Sequence, residues 1–438
     1  MTGIEIGIAA IAVLLVLILL GLPIGVAMMV SSFGAVAFIR NETVAFRMLG
    51  SVANDSLEEY LYAIVPLFVL MGLLVTISGV GKDTFDLFER MLRRFRTGLG
   101  IATVFANAIF ASITGISVAS ASVFSRIAVP EMVRHGYTPK FSTGVVAGSS
   151  VLGMLIPPSL LMVVYAVLAE ESVGRMFLSG VGPGILLSIL FAVTIMLMAW
   201  RRPASVFERE GTRVDGRETI GLLDGVRKGA PILALMTVVL GGLYGGFLNP
   251  TEAGAMGALG ALLIALARRS LTPSSFWSLL VETGQITVSV LFLIVAATFF
   301  SRMLAMSGLP LALAEFLIGG TLGPWGFMLV FISLVILMGC FIDSISIMLI
   351  LLPIALPVAQ AAGFDMIWFG VMTVIAVEIG LLTPPFGLSA YTVKSALNDP
   401  RLRVGDIFRG SFPFVLTMVV CLIVLAIFPQ IATWLARL

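Results

Sequence analysis

The chain has 438 residues, of which 59% are hydrophobic and 11% are charged, and its formal net charge is +2. Soluble globular domains carry roughly 25% charged residues, so this composition excludes a soluble fold, and the small net charge gives no reason to expect a nucleic-acid partner. The two cysteines, Cys340 and Cys421, lie in apolar segments and form no disulfide framework. We therefore predict an all-α integral membrane protein surrounded by the lipid bilayer.

Apolar runs that approach the ~20 residues needed to cross a bilayer recur along the whole chain. The first run, Ile4 to Leu20, has no Lys or Arg before it, so we predict a transmembrane helix rather than a cleaved leader. The predicted crossings, in chain order, are 4–20, 23–39, 60–81, 141–169, 180–200, 229–247, 251–267, 284–305, 365–397 and 411–432.

Two further apolar segments, 98–133 and 325–359, are too long for one crossing. Small and polar residues interrupt them at Ser112–Ser117 and at Gly339–Ser344. We predict that each segment is a re-entrant helical hairpin that enters and leaves the membrane on the same side.

An internal repeat relates the two halves of the chain at an offset of 227 residues. The halves are 1–200 and 229–438, and the polar linker 201–228 joins them. The offset aligns Pro23 with Pro250, Ser117 with Ser344, Pro130 with Pro357, Gly136 with Gly363, Gly153 with Gly380, and Pro157-Pro158 with Pro384-Pro385. Agreement of rare residues at one offset indicates a true repeat.

The distribution of basic residues predicts that the repeats are inverted, because Lys and Arg concentrate in cytoplasmic loops. Segment 82–96 holds five Lys or Arg residues, whereas its counterpart 309–324 holds none. If the N-terminus is periplasmic, the cytoplasmic loops carry 19 Lys and Arg residues and the outside carries 4. Two full crossings per hairpin would instead give parallel repeats.

The diprolines predict that crossings 141–169 and 365–397 are broken inside the membrane. Proline lacks the N–H that would bond the carbonyl four residues earlier, so Pro157-Pro158 is expected to free the carbonyls of Gly153 and Met154. Pro384-Pro385 is likewise expected to free those of Gly380 and Leu381. Such carbonyls are ligands for Na⁺ in broken-helix transporters; a simple kink without a ligand is the alternative.

The hairpin tips carry hydroxyl groups beside glycine, and the second arm of each hairpin begins with exposed N–H groups. A helix N-terminus favours an anion such as a substrate carboxylate, or these side chains only cap the helices. The residues concerned are Ser112, Thr114, Ser117 and Ser120 in the first tip, and Gly339, Asp343, Ser344 and Ser346 in the second.

Ionisable residues within spans cost about 2.5–3.5 kcal/mol on insertion scales, so they are candidates for function. Arg126 either pairs with a substrate carboxylate or extends to the cytoplasmic surface. Glu378 is either a proton or cation site or a structural partner of Arg126 or Arg302. For Arg302 and Lys394 we expect extension to the surface. Asn107 is expected to make a helix-packing hydrogen bond.

Other chemistries find no support in the sequence. The single histidine, His135, excludes a Ser-His triad, and no Gly-rich loop followed by Lys and Ser or Thr is present. We therefore expect neither an intramembrane enzyme nor an ATPase, and no organic cofactor. A channel is a further alternative, and it would show flux that is independent of a Na⁺ gradient.

Several motifs together resemble the large membrane subunit of TRAP (tripartite ATP-independent periplasmic) transporters, and the likeness covers essentially the whole chain. The motifs are Gly21-Leu22-Pro23-Ile24-Gly25, Ile127-Ala128-Val129-Pro130-Glu131-Met132 followed by Gly136-Tyr137, Gly153-x-x-Ile156-Pro157-Pro158-Ser159, and Leu382-Thr383-Pro384-Pro385-x-Gly387.

The resemblance implies a Na⁺-driven importer of a small carboxylate, such as a C4-dicarboxylate or sialic acid, that works by an elevator motion in the bacterial inner membrane. It implies two partners, a small four-helix membrane subunit and a periplasmic binding protein. Because the repeat begins at the N-terminus, we expect the small subunit to be a separate chain. A stand-alone Na⁺/dicarboxylate symporter with inverted hairpins is the alternative.

Carried over by motif, the implied site combines the hairpin tips with the breaks, and Na⁺ is the only metal ion expected. The predicted cation-binding residues are Ser112, Thr114, Ser117, Ser149, Gly153, Gly339, Asp343, Ser344, Gly380 and Thr383. The predicted substrate-binding residues are Ser120, Arg126, Pro157, Pro158, Ser346, Pro384 and Pro385.

Overall fold

The computed structural model describes residues 2–208, 222–319 and 323–437, and in these ranges it contains helices and one isolated β-bridge between Tyr137 and Phe207. The predicted all-α class is confirmed. Up to the linker the helices are α1 (Gly3–Leu19), α2 (Ile24–Ile39), α3 (Glu42–Glu58), α4 (Ile64–Ile77), α5 (Val80–Leu92), α6 (Gly98–Thr114), α7 (Ser117–Arg134), α8 (Pro139–Ser150), α9 (Leu152–Leu155), α10 (Leu160–Leu168), α11 (Val173–Arg201) and α12 (Pro203–Val206).

After the linker the described helices are α13 (Leu222–Met236), α14 (Gly242–Tyr244), α15 (Pro250–Ala267), α16 (Pro273–Ser307), α17 (Leu309–Ile318), α18 (Gly323–Gly339), α19 (Ser344–Ala361), α20 (Met366–Leu382), α21 (Leu388–Leu397), α22 (Val404–Ile427) and α23 (Gln430–Thr433). Single turns of 3-10 helix occupy Tyr60–Ala63 and Leu435–Arg437, and a π-helical segment, Thr237–Gly241, links α13 to α14.

Among the described helices, six are long and apolar enough to cross a membrane. They are Tyr60–Ile77, Val173–Arg201, Pro250–Ala267, Pro273–Ser307, Ser344–Ala361 and Val404–Ile427. The pair Pro139–Leu155 and Leu160–Leu168 passes the same test and bends by 41°. Since α19 alone is long enough to cross, the re-entrant course of the hairpins stays a prediction.

The helix bounds of the two halves agree at the offset found in the sequence. Adding 227 to the bounds of α7 gives those of α19, and adding it to the break 156–159 gives 383–386, where α20 has ended. Packing repeats in the same way: α4 lies against α15 as α16 lies against α2, and α7 lies against α8 as α19 lies against α20. The opposite orientation of the halves stays a prediction.

The hairpins and broken helices contact each other across the halves. Helix α7 packs against α21, and α19 packs against α10. Every residue from Ile367 to Leu382 on α20 is buried, as is every residue from Phe141 to Ser150 on α8. A helix that is buried on every side is enclosed by other helices, so these two helices form the centre of the fold.

Helices α3, α5 and α17 lie largely outside the predicted spans and hairpins. Helix α5 follows Gly79, whose left-handed φ of +76° redirects the chain after α4. It buries Val80, Thr84 and Phe85 on one face and carries its charges on the other. The middle of the predicted linker, 209–221, lies outside the described residues.

Candidate functional site

The tip of the first hairpin rests on the first break. The chain turns at Gly115, whose φ of +64° suits glycine. The carbonyl of Gly115 accepts a hydrogen bond from the N–H of Leu160 at 3.4 Å, and a Cβ at residue 115 would lie 2.9 Å from the carbonyl oxygen of Pro158. A Cβ at Gly153 would lie 2.8 Å from that of Ala111. The two backbones therefore meet without intervening side chains.

The second tip makes an analogous contact with the second break. A Cβ at Gly339 would lie 2.7 Å from the Cα of Gly380, and a Cβ at Gly380 would lie 2.6 Å from the Cα of Gly339. The N–H of Phe386 donates to the carbonyl of Cys340 at 3.2 Å, and the rings of Phe341 and Phe386 are 6.0 Å apart. Thus each hairpin tip is joined to a break of its own half by close backbone contact.

Both breaks have the backbone conformation that the diprolines predict. Ile156 and Thr383, which precede them, are extended, with ψ of 123° and 137°. Beyond the breaks, Ser159 caps α10 by accepting from the N–H of Met162 at 3.3 Å, and Gly387 precedes α21 with φ of +41°. Each crossing is consequently divided into two helices.

The prediction that the breaks leave free carbonyls at Met154 and Gly380 is wrong. The hydroxyl of Ser159 donates to the Met154 carbonyl at 2.5 Å, and the N–H of Thr383 donates to the Gly380 carbonyl at 2.9 Å. The hydroxyl of Thr383 itself donates to the carbonyl of Ile379 at 2.7 Å. At each break, a residue of the break therefore donates a hydrogen bond to one of the carbonyls at the helix end that the prolines leave without a helical donor. Each carbonyl keeps a second lone pair for another donor or a cation.

A buried polar network ties the first hairpin to α8. The hydroxyl of Ser120 donates to the amide oxygen of Asn107, and the amide nitrogen of Asn107 donates to the hydroxyl of Ser149 at 2.8 Å. All three side chains have no exposed surface. The packing hydrogen bond predicted for Asn107 is confirmed, and it connects two residues predicted to bind ligand.

The hydroxyls at the end of α6 bond their own helix. Ser112 donates to the carbonyl of Ile109 at 2.7 Å, and Thr114 donates to that of Ala111 at 3.3 Å. On the neighbouring α4, a Cβ at Gly72 would lie 2.7 Å from the carbonyl oxygen of Thr114. Gly72 could not be singled out from the sequence, because one glycine in an apolar helix carries no signal of a close approach.

The second arms of the hairpins begin differently. Asp343 caps α19 by accepting from the N–H of Ser346 at 3.1 Å. At the equivalent position before α7 stands Ile116, which offers no side-chain cap, and the buried hydroxyl of Ser117 has no hydrogen-bond partner among the described residues. The side chain of Asp343 therefore caps the N-terminus of α19, whereas the N-terminus of α7 has no side-chain cap. Ser344 and Ser346 are both buried.

Glu378 is buried and lies beside the Ser117 hydroxyl, without forming a hydrogen bond to it. Neither of its carboxylate oxygens has a hydrogen-bond partner in the described ranges. The alternative that Glu378 pairs with Arg126 or Arg302 is wrong, because Arg302 pairs with Asp55 at 3.0 Å and Arg126 is exposed. A carboxyl group from the second half thus faces the hairpin tip of the first.

Arg126 and Lys394 lie away from the contacts between tips and breaks. Arg126 follows Ser117 by nine residues, which is roughly 13 Å along α7. The ammonium group of Lys394 donates to the carbonyl of Asp399 beyond the end of α21. Arg126 therefore lies at the outer surface of the protein, whereas Lys394 is half-buried, and its expected extension to the membrane surface stays a prediction.

The two breaks differ in exposure. Pro157 and Pro158 are buried, whereas Pro384 and Pro385 are exposed, and Phe386 is 59% exposed. One break is therefore closed by surrounding helices while the other is open.

A second polar group, Glu89, Glu131 and His135, lies at the end of α7 remote from its tip. Their ligating atoms lie within 4.8 Å of one another. The imidazole Nδ1 of His135 lies 3.3 Å from the carboxylate of Glu131, and Arg134 lies 3.7 Å from it. Burial, followed by the charge of Glu131, raises the pKa of Glu89. This group joins α5 to α7 and is separate from the tips.

The fold is an all-α membrane fold. It is similar to the crystal structure of the Alcanivorax borkumensis YdaH transporter, with a TM-score of 0.59 and 14% sequence identity over 85% of this chain and 86% of that one. At this identity the likeness concerns the fold alone.

The chain belongs to the DctM family, described as the DctM component of the tripartite ATP-independent periplasmic transporter, whose model matches residues 11–431. It is 34% identical over 400 residues to the C4-dicarboxylate TRAP transporter large permease protein of Pseudomonas aeruginosa, covering 91% of each chain. It is 30% identical to the sialic acid TRAP transporter large permease protein of Vibrio cholerae, covering 96% of each. The resemblance seen in the sequence is confirmed.

Proposed function

We propose that this chain is the Na⁺-coupled large permease of a TRAP transporter that imports a small organic acid. The observation that carries the proposal is the paired contact between hairpin tips and breaks, which gathers hydroxyl and carbonyl oxygens at two related places. Interrupted helices of this kind hold coupling ions and substrate in secondary transporters. The curated relatives act on C4-dicarboxylates and sialic acid, so a carboxylate is the expected substrate group.

In this proposal the first cation site uses the hydroxyls of Ser112, Thr114, Ser117 and Ser149 with the carbonyl of Gly153. The second uses Asp343, Ser344 and Thr383 with the carbonyls of Gly339 and Gly380. Oxygen atoms are the ligands that hard cations prefer. The hydroxyls that donate to carbonyls of their own helices keep their lone pairs for a cation.

The proposed substrate site lies between the two cation sites. The uncapped N-terminus of α7 supplies N–H groups and a partial positive charge that favour a carboxylate. Ser120, Ser346 and the two diprolines complete the predicted surface. Arg126 is left out of this proposal, because it is exposed and lies too far along α7.

An elevator motion is part of the proposal. One break is buried and the other exposed, and the proposal assigns this difference to one state of an alternating-access cycle, in which substrate reaches its site from one side at a time. A small membrane subunit and a periplasmic binding protein are the proposed partners in the inner membrane, in keeping with a family described as tripartite.

The experiment is uptake into liposomes that contain this chain and its small subunit, with candidate binding proteins outside. A TRAP permease gives uptake only when the binding protein and an inward Na⁺ gradient are both present. Uptake without a binding protein would favour the stand-alone symporter, and flux that ignores the Na⁺ gradient would favour a channel.

Thr383→Ala and Ser117→Ala are each expected to raise the Na⁺ concentration for half-maximal uptake about tenfold, because one ligand is worth roughly 1.4 kcal/mol. Thr392→Ala is the matched control for Thr383, since half-buried Thr392 makes the same hydrogen bond to a carbonyl four residues earlier, that of Leu388, at 2.9 Å. Unchanged Na⁺ dependence in both site variants would remove these side chains from the cation sites.

A further inference from the structure

A basic cavity of about 650 Å³ lies outside the transport site, where α8, α11, α12 and α22 meet. Four cationic side chains line it: Lys140, Arg201, Arg202 and Arg409. Within the described ranges its lining contains no Asp or Glu. The volume falls within the range of ligand pockets, and among the described residues the positive charges have no opposing charge in its wall.

These cations have few interactions elsewhere. Among the described residues, Lys140, Arg202 and Arg409 form no ion pair, and the guanidinium of Arg201 lies 5.9 Å from the ring of Trp200. Four like charges around one cavity repel one another, so the folded protein gains stability when an anion binds between them.

The wall of the cavity is held in a fixed position. Thr138, at the start of α8, donates from its hydroxyl to the carbonyl of Ser205 at 2.9 Å and from its N–H to that of Val206 at 2.9 Å. Tyr137 forms the β-bridge with Phe207. These contacts fasten α12 and Phe207 to the start of α8, so Lys140 and Arg202 stay on the same rim.

The cavity lies at the ends of two long apolar helices, the position expected for the surface of the bilayer. Arg201 ends α11 and Arg409 lies in the second turn of α22, and both helices are long enough to cross a membrane. Trp200 beside it is 75% exposed, and tryptophan is enriched at the membrane interface. Below the basic rim the lining is apolar, and Leu197 is 47% exposed.

We propose that this cavity binds a phosphate-bearing anion, with the headgroup of an anionic phospholipid as its occupant. The phosphates lie among Lys140, Arg202 and Arg409, and an acyl chain runs down the exposed apolar surface at Leu197. Basic pockets between transmembrane helices are suited to such headgroups. The surface is distinct from the proposed substrate site at the hairpin tips.

The test measures the binding of cardiolipin to the full chain in phosphatidylcholine nanodiscs, by lipid retention in native mass spectrometry and by melting temperature. Wild type is expected to retain cardiolipin and to melt higher with it. The Lys140→Gln, Arg409→Gln double variant is expected to bind cardiolipin at least about tenfold more weakly. Arg47→Gln, which removes an exposed cation on α3, is the matched control and is expected to bind as wild type.

Two further arms identify the source of the anion and exclude a folding defect. If inorganic phosphate stabilises the wild-type protein as much as cardiolipin does and also displaces cardiolipin, the cavity binds a soluble anion and the proposed lipid occupant is overturned. The Lys140→Arg, Arg409→Lys variant keeps the charges and should restore binding. Equal cardiolipin retention by wild type and the double variant would overturn the site altogether.

Discussion

Gly380→Ala is expected to abolish uptake and to destabilise the protein by about 1–3 kcal/mol or more. The added Cβ would lie 2.6 Å from the Cα of Gly339 and 2.8 Å from the carbonyl oxygen of Ile336. Both are backbone atoms, so no side chain can rotate away, and α18 must separate from α20. That separation moves the second hairpin tip off its break. Uptake and thermal unfolding of the purified chain measure the two effects.

Gly284→Ala is the matched control. Gly284 lies inside α16, and a Cβ there would meet no heavy atom within 4 Å. Alanine favours a helix over glycine by about 1 kcal/mol, so this variant is expected to be as stable as wild type or more so. Wild-type uptake by Gly380→Ala would show that the close approach of the two glycines is not required.

Asn107→Ala is expected to reduce uptake more than tenfold and to destabilise the fold. The amide joins Ser120 on α7 to Ser149 on α8, and its loss leaves two buried hydroxyls with fewer partners. Each unsatisfied buried group costs about 1–3 kcal/mol, and the lost side chain adds a cavity. Both serines are predicted ligands, so the variant also loosens the site.

Asn54→Ala controls for the loss of an asparagine, because exposed Asn54 bonds Glu58 on the surface of α3 at 2.9 Å. It is expected to change unfolding by less than about 0.5 kcal/mol and to leave uptake unchanged. If Asn107→Ala transports as well as Asn54→Ala, the hydrogen-bond network around Asn107 is not required for transport.

The repeat and the breaks could be predicted because they depend on residues with a local effect. Proline interrupts a helix wherever it stands in its interior, and Ile156 and Thr383 are extended as expected. The agreement of α7 with α19 at 227 residues follows from the same pattern of prolines and glycines. The apolar composition of the chain indicated a membrane protein. In lipid, backbone polar groups must bond within the chain, and helices meet this requirement.

The partners of the site residues could not be predicted, because they depend on how helices rotate and pack. Arg126 lies on the exposed side of α7, although its sequence position suited a substrate contact. The hydroxyl of Ser159 turns back to the carbonyl of Met154, a contact that no spacing rule indicates. The exposed second break and the buried first break depend on the packing of the whole chain.

The proposed mechanism depends on the opposite orientation of the two halves, and labelling from each side of the membrane tests this orientation most directly. Lys82→Cys on α5 and Leu311→Cys on α17 place exposed thiols on helices related by the repeat. A membrane-impermeant maleimide is predicted to label Leu311→Cys from the periplasm and Lys82→Cys only from the cytoplasm. Labelling of both from the same side would contradict the inverted arrangement.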